Sequence, residues 1–233
     1  MSLFCPSVCS ELLFCELTFP VFSCIIKSRK AKKRCGGRGV FLRLTRGMDM
    51  ERCGSDRQFL IDLLGNEDAV TAIRGNMDRL FSVAPELSHM VGFEHRSKYH
   101  HLDVWEHTLS ALEHSENSFK TRLVLLLHDS GKPFSCQPDG EVRHFKGHPK
   151  KSEEITRALL SRLGFDSEFI DSVARLVLNH DNPLTREEVR ENPTYARELF
   201  EVQRCDTLAH NPERNERRLF YLKDIAELLG IDY

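Results

Sequence analysis

From residue 56 onward, apolar positions recur at spacings of three and four, the period of a helix that buries one face. The pattern predicts helices over 56–64, 67–82, 103–116, 119–129, 150–163, 166–180, 193–210 and 213–229. Boundary residues agree with it. Thr185 and Glu188 form a capping-box pair. Asn192-Pro193 and Asn211-Pro212 each place a capping side chain ahead of a proline at the first helical position. Gly131 follows the helix that ends near Asp129, and Pro133 blocks its continuation. Strand signals are scarce. The exception is 134–145, where Pro138-Asp139-Gly140 reads as a turn between two short β-capable runs. The expected fold class is all-α, a helical bundle with one short β-hairpin near 134–145.

The first 49 residues follow no such period. Residues 3–26 are rich in Phe, Leu, Cys, Val and Ile, and 27–46 form a basic run. A secretory signal has its positive charge first, and here the order is reversed. Glu11, Glu16, Pro6 and Pro20 interrupt the stretch as a membrane span. Its cysteines form no CxxC pair. We therefore expect two regions: an N-terminal extension over 1–49, disordered or non-native, with Met48 or Met50 as the working start, and a helical domain over 50–233. A weak signal-anchor is the alternative for the extension.

Charge sharpens that division. The formal net charge of −2 hides an uneven distribution. Residues 1–48 hold nine Lys/Arg and two acids, and the remainder holds 24 basic and 33 acidic residues. The acidic body disfavours extended contact with nucleic acid. No stretch in it is long and apolar enough for a transmembrane helix. Only Cys136 and Cys205 lie deep in the body, which suggests no disulfide framework and points to a reducing cytoplasm.

All eleven histidines lie between His89 and His210, and several interrupt apolar stripes. The run Leu123–Leu127 is apolar all round, so its helix is buried, yet it leads into His128-Asp129. His107 shares a face with Val104 and Ala111, His180 with Val173 and Val177, and Asp206 with Leu199, Val202 and Ala209. His148 precedes Pro149 at a helix start. Any one of these residues reads as a core side chain with a hydrogen-bond partner. Together, buried imidazoles and two carboxylates are also what a metal ion satisfies. The pattern alone leaves both readings open.

The order His107, His128-Asp129, Asp206 resembles the H…HD…D signature of the HD superfamily of metal-dependent phosphohydrolases. Three strings, YHHLDVWEHT at 99–108, LLHDSGKP at 126–133 and HFKGHPKKS at 144–152, are similar to the HD domain of bacterial tRNA nucleotidyltransferases. The resemblance covers roughly 76–230 and implies an HD-type helical bundle. It implies that His107, His128, Asp129 and Asp206 bind a divalent metal ion. It implies that His148 and His180 add a second metal or hold phosphate. Lys132 matches a lysine that contacts the substrate phosphate or assists catalysis, with Asp129 as its catalytic partner. Oxygen and nitrogen ligands suit Mn, Ni, Co, Fe, Mg or Zn.

The implied activity is a phosphatase or phosphodiesterase acting on a nucleotide, cyclic nucleotide or other phosphate ester. The partner is then a small phosphorylated substrate, with RNA not favoured and no membrane for the folded body. The alternative is a stand-alone HD module that binds RNA or a partner without hydrolysis. Two departures stand out. Nothing in 1–75 looks like the nucleotide loop and paired acids of a nucleotidyltransferase, so that activity is not expected. Pro149 replaces an acidic residue common in relatives. Among the remaining histidines, His144 is the first candidate to join the site. Arg122, Arg96 and Arg204 are the arginines nearest the motifs.

Overall fold

The structure, a computed structural model, describes residues 52–139 and 142–233. The expectations for 1–49, including Met48 and Met50 as starts, lie outside the described residues. The described chain is a helical bundle. Its first helices are α1 (52–64), α2 (Ala69–Gly75), α3 (Met77–Val83), α4 (Val104–Glu113) and α5 (Phe119–Leu127). Then come α6 (Lys132–Ser135), α7 (His148–Arg162), α8 (Ser167–Asn179), α9 (Arg186–Glu191), α10 (Pro193–Leu208) and α11 (Glu216–Leu229). The expected hairpin is present between α6 and α7. Strands β1 (Gln137–Asp139) and β2 (Val142–His144) pair antiparallel, with Gln137 opposite His144. Among the described residues, no helix is long and apolar enough to cross a membrane.

Helix α10 is the hub, packing against α4, α5, α8, α9 and α11. Helix α5 runs beside it, and Leu123 through Leu127 are all fully buried, as an all-round apolar segment requires. Deleting one such leucine side chain would cost about 2–5 kcal/mol. The rigid pair α5 and α10 therefore carries His128, Asp129 and Asp206 on a packed foundation.

Four local expectations need correction. The helix expected over 67–82 is two helices broken at Asn76. There the Asn76 side chain donates to the Ala72 carbonyl at 2.9 Å and so competes with the helical ladder. Pro133 does more than stop a helix, since it lies in the first turn of α6. Pro138 and Asp139 belong to β1 and not to the turn. Asn211 caps a short 3-10 turn, Pro212–Arg214, and the last α-helix begins only at Glu216. The capping box at Thr185 and Glu188 forms as expected and opens α9.

Candidate metal centre

The site sits where several helices end. His128 and His180 occupy the C-cap positions of α5 and α8, where the last carbonyls lack helical partners. Each imidazole satisfies one of them. His128 Nδ1 donates to the Leu125 carbonyl at 2.6 Å, and His180 Nδ1 to the Val177 carbonyl at 2.7 Å. His148 opens α7, and its Nδ1 donates to the Phe145 carbonyl at 3.0 Å. His107, midway along α4, directs Nδ1 to the Ala209 carbonyl at 3.3 Å. In all four residues Nδ1 lies against a backbone carbonyl and Nε2 faces inward, and in His107 Nε2 also meets the Asp206 carboxylate at 2.9 Å.

Glycines let these ends meet. Gly131 donates its backbone N–H to Ser152 Oγ at 2.8 Å, and an added Cβ would lie 2.5 Å from the His148 carbonyl oxygen. Only glycine allows the turn after Asp129 to press on the first turn of α7. Gly147 has φ +83°, which swings the hairpin exit into α7 and aims His148 at Asp129.

Asp129 is the centre of the arrangement. Its Oδ1 lies 3.3 Å from His148 Nε2 and 3.7 Å from His180 Nε2. Its Oδ2 lies 3.3 Å from His128 Nε2, 3.8 Å from His107 Nε2 and 2.6 Å from Lys132 Nζ. Asp206 completes the other side, with Oδ1 2.9 Å from His107 Nε2 and 3.6 Å from His128 Nε2. Two compact sets of ligating atoms include these carboxylates, His107, His128 and Asp206, and then Asp129, His148 and His180, and His107 also groups with His100 and His210. All seven residues expected at the site, Lys132 included, are brought together.

The donor set fits a cation. His148 Nε2 and His180 Nε2 face each other at 3.3 Å, although both rings have committed their protons to carbonyls. His128 Nε2 and Asp129 Oδ1 are buried without a hydrogen-bond partner. Lone pairs crowded against carboxylates are stable only around positive charge. The electrostatics agree. Burial works to lower the pKa of His128, but the Asp129 and Asp206 carboxylates outweigh it and raise it to about 10. Burial works to raise both carboxyls, yet His128 and Lys132 hold Asp129, and His210 and His107 hold Asp206, well below the usual carboxylate range.

Comparison with known proteins shows the family. The HD domain family model matches residues 87–209, more than half of the chain. The chain belongs to the HD-domain family. A CC-adding tRNA nucleotidyltransferase from Thermus thermophilus is 43% identical over 110 residues, covering 44% of this chain and 25% of the relative. An A-adding tRNA nucleotidyltransferase from Deinococcus radiodurans is 36% identical over 103 residues, covering 41% of this chain and 24% of the relative. The chain thus spans about a quarter of the length of the curated relatives it matches.

The cluster also includes residues that the sequence pattern did not single out. His95 accepts from Lys132 Nζ at 3.1 Å, because its own Nδ1 is held by the Leu102 carbonyl at 2.9 Å. Lys132 is therefore clasped between His95 and Asp129 and buried, not extended into solvent. Asp181 Oδ2 lies 3.3 Å from His148 Nε2, and Arg218 reaches Asp206 Oδ2 at 2.9 Å and Asp181 Oδ1 at 3.3 Å. His210, just beyond the matched region, directs Nδ1 to the Asp206 carbonyl at 2.7 Å, and burial pushes it down to about 4. The signal for Asp181 was its place beside His180; nothing in the pattern pointed to Arg218.

The other candidates fall elsewhere. Arg122 is buried against the Leu64 and Asn66 carbonyls, Arg204 pairs with Glu201, and Arg96 pairs with Glu94. His144 lines the cleft over Asp129 but belongs to neither ligating set.

Proposed function

We propose that this protein is a metal-dependent phosphohydrolase acting on a nucleotide, cyclic nucleotide or other phosphate ester. The observation that carries the reading is the convergence of four imidazoles, each with Nδ1 against a backbone carbonyl, on the Asp129 carboxylate, with Asp206 closing the set. His107, His128, Asp129 and Asp206 would hold one divalent ion (Mn, Ni, Co, Fe, Mg or Zn). His148 and His180, sharing Asp129, would hold a second ion or the substrate phosphate. The bound ion would polarise a phosphoryl oxygen and supply a water of lowered pKa.

The chain's own groups do the rest. Asp129 has one oxygen directed to each set, which suits it to hold an attacking water's proton and its orientation at once. Lys132 keeps Asp129 ionised and places an ammonium beside the phosphoryl oxygens. The cleft above them, about 480 Å³, is lined by Lys132, Arg143, Lys146 and Arg218, which favours an anionic guest. Hydrolysis adds water across a P–O ester bond and releases an alcohol or nucleoside. The tRNA nucleotidyltransferase names of the relatives support a nucleotide or an RNA end as the substrate. A cytoplasmic location goes with this reading, since Cys53, Cys136 and Cys205 form no disulfide among the described residues.

The test is a panel of phosphomonoesters and 2′,3′-cyclic nucleotides, assayed with the full chain loaded with Mn, Ni, Co or Mg. Turnover of at least one class, lost on chelation, is expected. Bound metal with no turnover across the panel would overturn the hydrolase and leave a binding module.

A further inference from the structure

A second cavity, about 540 Å³, adjoins the cleft over Asp129. The two share His100, His180, Asp181, His210 and Arg218 as walls, so a ligand seated at the metal centre has room to extend from one into the other. The far wall of the second cavity is built by residues 212–221, which lie beyond the region that matches the HD family. This segment reads PERNERRLFY and concentrates Arg214, Arg217 and Arg218 within five positions of an otherwise acidic body.

The three arginines are not equivalent. Arg218 is committed to Asp206 and Asp181. Its anchorage places the first turn of α11 at the rim of the site. Arg214 and Arg217 line the cavity and are exposed, and neither has an ion-pair or hydrogen-bond side-chain partner among the described residues. Two such guanidiniums in a cavity that adjoins the cleft over Asp129 offer bidentate contacts to a phosphate. The same cavity presents Tyr99, half exposed, and Tyr221. Aromatic rings of this kind give a nucleobase a stacking surface. The Tyr221 hydroxyl is held by donation to Gln203 Oε1 at 3.0 Å and by the Leu184 N–H at 2.6 Å, so its ring is fixed.

We infer that Arg214 and Arg217 form a subsite for a second phosphate, and that the preferred ligand is a nucleotide carrying one phosphate at the metal centre and another on the same nucleoside. This rests on the hydrolase reading for the position of the first phosphate. A nucleoside monophosphate fills only half of the charge complement; a bisphosphorylated nucleoside fills both.

Binding calorimetry on the manganese-loaded full chain tests the subsite without relying on turnover. Adenosine 3′,5′-bisphosphate is expected to bind at least about tenfold more tightly than adenosine 3′- or 5′-monophosphate, the scale of one charge-assisted contact. The Arg214→Ala/Arg217→Ala variant should lose that preference and keep wild-type affinity for the monophosphates. Equal affinity for bisphosphate and monophosphates in the wild type would overturn the inference, as would equal weakening of all three ligands in the variant. Binding of fructose 1,6-bisphosphate as tightly as the nucleotide would overturn its nucleoside part. Arginine-dependent preference without hydrolysis of any ester would remove the hydrolase and leave the subsite standing. Hydrolysis without that preference would remove the subsite alone.

Discussion

The two halves of the centre are held by different kinds of structure. His107, His128 and Asp206 come from α4, the end of α5 and α10, which pack directly on one another through the deepest part of the core. His148 and His180 come from the start of α7 and the end of α8, and His148 reaches Asp129 only because Gly131 and Gly147 let a turn and a hairpin close around it. The first half is rigid because the bundle is rigid. The second borders both cavities and a half-open carboxylate, Asp181. A site built this way keeps one set of ligating atoms within the core and turns the other toward the cleft. Asp129 joins the halves with one oxygen turned to each.

The largest expected effect comes from severing that joint. Asp129→Asn keeps the side-chain volume and removes the charge, so turnover should fall by at least about a thousandfold, near 4 kcal/mol of transition-state stabilisation. The chelated variant should also lose about 3–5 kcal/mol of stability, because the buried Lys132 and His128 lose their counter-charge, so turnover is read per folded molecule. Normal turnover per folded molecule would assign Asp129 to structure instead.

Chelation of the wild type should come next. Saturating metal at about a thousand times its Kd adds about 4 kcal/mol to stability, so removal with EDTA should lower the melting temperature by about 8–16 °C. An unchanged melting temperature would show that the core needs no cation.

The halves should then part company. His107→Ala opens a hole in the packed core and is expected to cost about 2–4 kcal/mol in the metal-free protein, with metal content falling at both positions. His148→Ala should stay within about 1 kcal/mol, because the residue borders the cleft, and should retain metal at the inner position by elemental analysis. Equal losses in the two variants would erase the distinction. Smallest of all is Asp181→Asn, expected to leave stability unchanged within about 0.5 kcal/mol and to alter turnover only severalfold. Arg122→Ala is the converse control. It should destabilise by about 2–3 kcal/mol through the orphaned Leu64 and Asn66 carbonyls, with normal turnover per folded molecule.

Much of this was legible along the chain. The register of His107 against Val104 and Ala111, and of Asp206 against Leu199 and Val202, follows from the helical period, since a polar residue in an apolar stripe has one direction to face. His128-Asp129 was legible because a helix apolar all round can end only in a buried place. The His148 position was legible from Gly147 and Pro149. The break at Asn76 was not, because the apolar stripe continues through Ile73, Leu80 and Val83 while a side-chain bond interrupts the backbone.

The sequence by itself determined most of the helices, the inward direction of six site residues and the family that their order resembles. These are properties of short stretches, set by periodicity and by caps. Tertiary structure alone decided that four separate imidazoles point their Nε2 atoms at one carboxylate, that Lys132 is clasped by His95 instead of reaching solvent, and that Arg218 closes on Asp206. His95 and Lys132 are 37 residues apart, His107 and Asp206 are 99, and Arg218 joins from a helix beyond the matched region. No local rule fixes such distances. They follow from which helices pack against α10, and packing is settled by the whole core at once.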